Sequence, residues 1–280
     1  MDAPGHNARM TEPAWPMAAD PARRIGRAVE FHARIGSTND RAREALSQPD
    51  GDGLAVVADL QTAGRGRRGR TWESPAGLNL MVSVGIRPRL DPPAAGLLGI
   101  AAALAVRDAC AAEVPAHELQ VKWPNDVVDA DGLKIAGLLV ETALEDGRLA
   151  EAVIGAGINV NWPRSGMPPE VRERATSLLE LAGRPIDRVG LLRRLLDALD
   201  AEVAALEAGD SPVARMRAVS AIDGRQVTVD LGTEQIEGVA AGISAEGFLL
   251  LDSVAGRLAL AIGEVVAVRA AGPAAVGAQP

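Results

Sequence analysis

Seven glycines, Gly224, Gly232, Gly238, Gly242, Gly247, Gly256 and Gly263, cut the stretch after Ser220 into apolar runs too short for helices. The runs between them, such as Val227-Thr228-Val229, Phe248 to Leu251 and Val265 to Val268, read as short strands separated by turns. That spacing predicts a small β-barrel over residues 220–270. The pattern upstream differs. Val29 to His32, Leu54 to Ala58 and Leu78 to Ile86 read as strands, with a helix from Ser37 to about Ser47 between the first two. Ser37 followed by Asp40 resembles a capping box. Leu97, Ile100, Ala101 and Leu104 recur at helical spacing and predict an amphipathic helix from Pro93 to Ala112. Val121 to Trp123, Val127-Val128, Ile135 to Thr142 and Ala152 to Ile154 read as strands with tight connections. Leu192, Leu195, Leu196, Leu199, Val203 and Leu206 form a second helix stripe. The expected organisation is a disordered tail over 1–24, a mixed α+β domain over 25–219, the small β domain over 220–270 and a second tail over 271–280.

Composition narrows the class. A charged fraction of 24% and a hydrophobic fraction of 48% are those of a folded globular chain. Cys110 is the single cysteine, so no internal disulfide forms, and a buried thiol in a reducing compartment is expected. The N-terminal stretch, with His6, Arg9, Glu12, Pro4, Pro13 and Pro16, lacks the apolar centre of a signal peptide. No run is expected to reach the roughly 18 apolar residues of a membrane span. A net charge of −8 argues against a general nucleic-acid binder. Of 29 basic residues only Lys122 and Lys134 are lysines. In a chain that uses arginine for generic cations, those two mark places where a compact ammonium is required.

Both lysines lie in chemically suggestive segments. The chain runs Gln61-Thr62-Ala63-Gly64-Arg65-Gly66-Arg67-Arg68-Gly69-Arg70-Thr71-Trp72 between two strands. Glycines let backbone N–H groups approach an anion, and arginines supply planar forks for carboxylate or phosphate. Like charges so close repel, so the loop is expected to order when an anion arrives. Gly64, Gly66 and Gly69 formally fit G-x-G-x-x-G, but a strand follows rather than the helix a dinucleotide fold needs. An RNA-binding basic cluster lacks the aromatic platform and second basic patch it would use. Further on come Lys122-Trp123-Pro124-Asn125-Asp126, then Lys134-Ile135-Ala136-Gly137-Leu138-Leu139-Val140-Glu141, then Gly155-Ala156-Gly157-Ile158-Asn159-Val160-Asn161. Singly, each reads as well as packing or a turn.

In this order, and with Ser37-Thr38-Asn39 ahead of them, the segments resemble the biotin–protein ligases, in particular the biotin–[acetyl-CoA carboxylase] ligases. The resemblance runs from about residue 29 to 268 and includes Asp223-Gly224-Arg225 through Gly263-Glu264-Val265, which resembles the family's SH3-like cap. It implies the mixed sheet shared with class II aminoacyl-tRNA synthetases. It also implies activation of biotin by Mg·ATP to biotinyl-5′-AMP, with transfer to one lysine of a biotin carboxyl carrier protein, such as that of acetyl-CoA carboxylase, in the cytoplasm. Carried over by motif, Ser37, Thr38, Asn39 and Gln61 hold biotin, the ureido group above all. Gly64, Arg65 and Arg67 close over biotin and adenylate. Arg68, Arg70 and Trp72 lie towards the nucleotide. Lys134 sits by the biotin carboxylate and the bridging phosphate, acting with Arg67 in catalysis. Gly137 lets backbone approach the biotin ring, and Asn159 serves the adenosine side. Asn125 and Asp126 help place metal or acceptor; Mg²⁺ has no firmly assigned protein ligand. Too few residues precede the first strand for a winged helix, so DNA binding is not expected, nor is a membrane partner. Gly155-Ala156-Gly157 stands where many members have Gly-Ile-Gly, a departure from which no consequence is expected. The enzyme alternative is a lipoate–protein ligase, and the binding alternative an RNA-binding module using the Gly/Arg loop.

Overall fold

The structure, a computed structural model, describes residues 15–269. Seven strands form the main sheet: β1 (Val29–His32), β2 (Ala55–Ala58), β3 (Leu80–Ile86), β4 (Gln120–Lys122), β5 (Asp126–Val128), β6 (Lys134–Glu145) and β7 (Arg148–Ile158). Their order is β1-β2-β3-β7-β6-β5-β4. The β1–β2 pair is parallel and every other pair antiparallel. The helices are α1 (Thr38–Leu46), α2 (Ala95–Ala111), α3 (Pro169–Arg172), α4 (Leu178–Ala182), α5 (Arg188–Glu207) and α6 (Val213–Ala218). This is the expected α+β class.

Helices cover both faces of the central strands, which explains why β3 reads as an apolar run interrupted only by Ser83 and Gly85: all of its residues are buried. Alternation along β7 sets the two faces apart. Ile154 and Ala156 face Ala102 and Val106 of α2 and Leu195, Leu196 and Leu199 of α5. Gly155 points the other way, towards Asn39 of α1. The glycine face is therefore shallow, and a cleft forms there.

Helix α2 departs from its predicted amphipathic character. Ala101 to Val106 are buried without a break, because the helix lies between the sheet and α5. The expectation that no segment reaches membrane-span length also fails here. Pro92–Ala111 is long and apolar enough by composition, yet its burial in the core accounts for that. Cys110 at its C-terminal end is fully buried, and burial, with Glu113 nearby, pushes its thiol up to about 12. Iodoacetamide at pH 8 will leave Cys110 unmodified in the native protein and alkylate it fully in denaturant; labelling of the native protein would contradict this burial.

The expected disordered tail over 1–24 is corrected in part. Trp15 to Ala18 form a 3₁₀ turn, and Trp15 is fully buried, stacked on Phe31 with ring centroids 5.9 Å apart. Arg23 is buried and donates to Asp197 of α5 at 2.8 Å, and the Ile25 N–H donates to Asp200 at 2.8 Å. The fully buried indole contributes apolar burial that works against the entropy cost of ordering this segment. The remaining expected tail residues, 1–14 and 271–280, lie outside the described residues, as does residue 270.

A second sheet comprises β8 (Gln226–Asp230), β9 (Gln235–Ile243), β10 (Leu249–Ser253), β11 (Gly256–Leu260) and β12 (Glu264–Arg269), all antiparallel. Its order is β11-β10-β9-β8-β12. The end strands β11 and β12 do not pair among the described residues, so the hydrogen-bonded ladder is open between them. Six of the seven glycines take positive φ at its turns and kinks, Gly238 being the exception. Trp123, which precedes β5, is buried and donates its indole N–H to the Gly247 carbonyl at 3.3 Å, tying the two sheets together.

Candidate active-site cleft

A cleft of about 640 Å³ opens over the glycine face of the main sheet. It is lined by Ser37, Thr38, Asn39, Gln61, Arg65, Arg67, Arg70, Trp72, Asn125, Asp126, Lys134, Gly137 and Asn159, thirteen of the fifteen residues singled out from the sequence. Gly64 and Arg68 are not in the lining. Added side chains have no room on the floor. A Cβ on Gly155 would overlap Asn39 Oδ1, and one on Gly157 would overlap the Trp72 indole. A Cβ on Gly137 would stand 2.6 Å from Lys134 Nζ.

One end of the cleft is neutral and polar. Ser37 is the N-cap of α1, but its hydroxyl makes no capping bond, so the expected capping box is absent. Gln61 Oε1 accepts from the Thr38 N–H at 2.8 Å and the Thr38 hydroxyl at 3.0 Å. Ser83 Oγ lies 2.7 Å from Thr38 Oγ1 and 2.6 Å from Asn39 Oδ1. Asn39 in turn donates to Glu141 at 2.7 Å. Burial pushes the Glu141 carboxyl up. The Asn39 bond and the Arg43 and Arg65 guanidinium groups outweigh this and hold it below the usual carboxylate range.

The other end is cationic. Lys134 opens β6, and its backbone is held on both sides: its N–H donates to Arg174 O at 2.8 Å, and its carbonyl accepts from the Thr176 N–H at 3.0 Å. Its Nζ lies 2.7 Å from Asp126 Oδ1 and 5.6 Å from the Trp72 ring centroid. Lys122, Arg67 and Arg70 share this end with Asp126 and Glu264. Burial depresses the pKa of Lys122, and the neighbouring charges of Lys134 and Arg70 add to that. Burial likewise lowers Arg67, with Arg68 and Arg70 adding their repulsion. Cations outnumber carboxylates here, which favours a polyanion.

The Gly/Arg loop is a small closed hairpin. The Gly66 N–H donates to Arg70 O at 2.7 Å and the Trp72 N–H to Gly64 O at 3.0 Å. A side chain on Gly64 would meet the Trp72 carbonyl, so Gly64 serves the hairpin rather than the cleft. The expected mutual repulsion is relieved within the chain itself. Arg65 makes a two-pronged bond to Asp40 at 2.7 Å for each prong. Arg70 pairs with Glu264, and Arg68, in the left-handed region at φ 57°, pairs with Asp230. Arg68 is thereby directed onto the second sheet and away from the cleft, which corrects its expected place by the nucleotide. Arg67 has no ion-pair partner among the described residues and donates instead to Asn125 Oδ1 at 3.3 Å and Gly263 O at 3.2 Å. Asn159 borders the cleft, but its amide N–H groups go to the carbonyls of Lys134 and Thr176, so it also braces the floor.

Several lining residues escaped the sequence reading. Ser83 is the one polar residue in the apolar run Leu80–Ile86, a signal that was available. The glycines of β7 alternate with Ile154, Ala156 and Ile158, which also marks a face. Glu264, Trp162, Glu170 and Arg174 reach the cleft from distant segments, and no local pattern identifies them.

The chain matches the biotin/lipoate A/B protein ligase family over residues 31–159 and the biotin protein ligase C-terminal domain over residues 224–267. It is 40% identical over 250 residues to a biotin–[acetyl-CoA-carboxylase] ligase of Mycobacterium tuberculosis, covering 87% of this chain and 90% of that one. It is 34% identical to a biotin–[acetyl-CoA-carboxylase] ligase of Paracoccus denitrificans, covering 83% and 98% of the two chains. Among solved structures, a biotin protein ligase from Aquifex aeolicus in complex with biotin and ATP superposes with a TM-score of 0.73 at 29% identity, over 87% of this chain and 99% of that one. The alternating glycine floor, the polar pocket at one end and the lysine at the other thus belong to a chain of the biotin protein ligase family.

Proposed function

We propose that this chain activates biotin with ATP and transfers it to a lysine of a biotin carboxyl carrier protein. One observation carries the reading: a single cleft joins a neutral hydrogen-bonding pocket to a cluster of cations across a glycine floor. The pocket suits a ureido ring, which offers both donors and an acceptor. The cationic end suits a carboxylate and a triphosphate brought together. In the first step a biotin carboxylate oxygen attacks the α-phosphorus of ATP. The bond from that phosphorus to the bridging oxygen breaks, and pyrophosphate leaves. Lys134 and Arg67 offset the charge that gathers at the α-phosphate. In the second step the carrier's neutral lysine amine attacks the acyl carbon, AMP departs, and the amine's proton passes to solvent.

The C-terminal domain match and the named relatives favour biotin over lipoate as the acid. Mg²⁺ enters with ATP as part of the substrate, carried on phosphate oxygens. No group of three or more His, Cys, Asp or Glu side chains placed to hold a metal ion is found among the described residues. A reducing, cytoplasmic setting that supplies ATP completes the proposal.

Exchange of labelled pyrophosphate into ATP tests it without knowledge of the carrier. Exchange with biotin, and not with lipoate or without acid, is the expected result. Exchange with lipoate alone would change the substrate, and exchange with neither acid in folded protein would overturn the reading. The floor gives a second check. Gly155→Ala sets a methyl group against Asn39, whose side chain is confined between Ser83 and Glu141. Its biotin affinity by titration calorimetry is expected to fall at least tenfold, on the order of one lost hydrogen bond or more; unchanged affinity would remove Asn39 from the pocket.

A further inference from the structure

Three close oxygen–oxygen contacts run through the polar end of the cleft: Thr38 to Gln61 at 3.0 Å, Ser83 to Thr38 at 2.7 Å and Ser83 to Asn39 at 2.6 Å. Each needs one proton, and the two hydroxyls supply only two. Neither amide relieves the shortage by turning over. The Thr38 N–H donates to Gln61 and holds Oε1 in place. Glu141 accepts from the Asn39 amide and holds Oδ1 towards Ser83, since a reversed amide would set a carbonyl against a carboxylate. Ser83 is fully buried, and Thr38 and Asn39 are nearly so, while all three border the cleft.

We infer that Ser83 is a specificity-determining residue: it makes this buried chain one proton short, so that the pocket selects an acid whose ring carries an N–H donor. The inference rests on the ligase reading and deepens it. A ring N–H donated to one of the two bare oxygens satisfies that acceptor and offsets the repulsion of the contact. A ring without a donor leaves that contact in place, and sites built this way reject such analogues strongly. Ser83 acts through Thr38 and Asn39, which makes it a positioning residue. With alanine at this position only the Thr38–Gln61 contact remains, and Thr38 supplies its proton.

The test is titration calorimetry of the wild type and Ser83→Ala with biotin and with its two cyclic carbamates, in which one ring N–H or the other is replaced by oxygen. The wild type is expected to bind at least one carbamate about 100-fold more weakly than biotin. In Ser83→Ala biotin binding weakens about tenfold, the carbamate penalty shrinks by about the same factor, and affinity for ATP changes less than twofold. Ser83→Cys, which keeps the shape with a weak donor, is expected to fall between the two and guards against a folding effect. Equal carbamate penalties in all three proteins would overturn the role of Ser83 and leave the ligase reading standing. Failure of the folded wild type to bind biotin at all would overturn both.

Discussion

Lys134→Arg is expected to lose pyrophosphate exchange by about 10²–10³-fold although the positive charge is kept, and Lys134→Ala by a similar factor. The ammonium is enclosed: Asp126 stands 2.7 Å away, the Trp72 ring lies 5.6 Å off, and Gly137 leaves it room by having no Cβ. Its backbone is pinned by Arg174 and Thr176, so the stem leaves the sheet in one direction. A guanidinium is longer and planar, and it fits this space only by pushing Trp72 off the floor. The cation then sits away from the atoms whose charge it must offset, and the loss falls on the transition state. Lys134 is partly exposed, so the variants should keep the wild-type melting temperature within a few degrees. Near-normal exchange by Lys134→Arg would show that charge alone suffices and that the enclosure has no catalytic consequence.

Trp15→Ala is expected to cost about 3–5 kcal/mol, the range for removing a large buried aromatic. At roughly 2–4 °C per kcal/mol for a chain of this size, the melting temperature falls by about 10 °C. Trp15 is fully buried, stacks on Phe31 of β1, and has the Arg188 guanidinium 5.0 Å from its ring. Arg188 is itself buried and pairs with Asp59 at 2.8 Å, so the indole also covers an ion pair. Trp15→Phe keeps an aromatic ring in place and should lose less than half as much. Thermal unfolding followed by circular dichroism checks both variants. A melting temperature unchanged in Trp15→Ala would return residues 15–24 to the status of a tail.

These two residues differ in how far the sequence announced them. Lys134 stood out because lysine is rare here and because its neighbours are glycine and apolar residues, chemistry that is local and therefore readable. Trp15 gave no such signal. Its neighbours are Pro13, Pro16 and several alanines, a composition shared with tails, and its partners Phe31 and Arg188 are distant in the chain. Arg68 shows the same limit in reverse. Its place in the Gly/Arg loop suggested the nucleotide, but a left-handed backbone and Asp230 turn it onto the second sheet.

The sequence by itself determined the α+β class, the run of strands, the glycine-punctuated second sheet and the segments that meet at the cleft. Periodicity and turn chemistry are local properties, and they survive in one dimension. Only the tertiary structure decided which arginines face the cleft, which carboxylates neutralise their loop, and that Ser83 joins Thr38 to Asn39. Those outcomes depend on pairings between residues tens to nearly two hundred positions apart, such as Ser83 with Asn39 and Arg70 with Glu264. Hydrogen bonds and ion pairs act over a few ångströms, so the chain must be folded before proximity can select among the candidates.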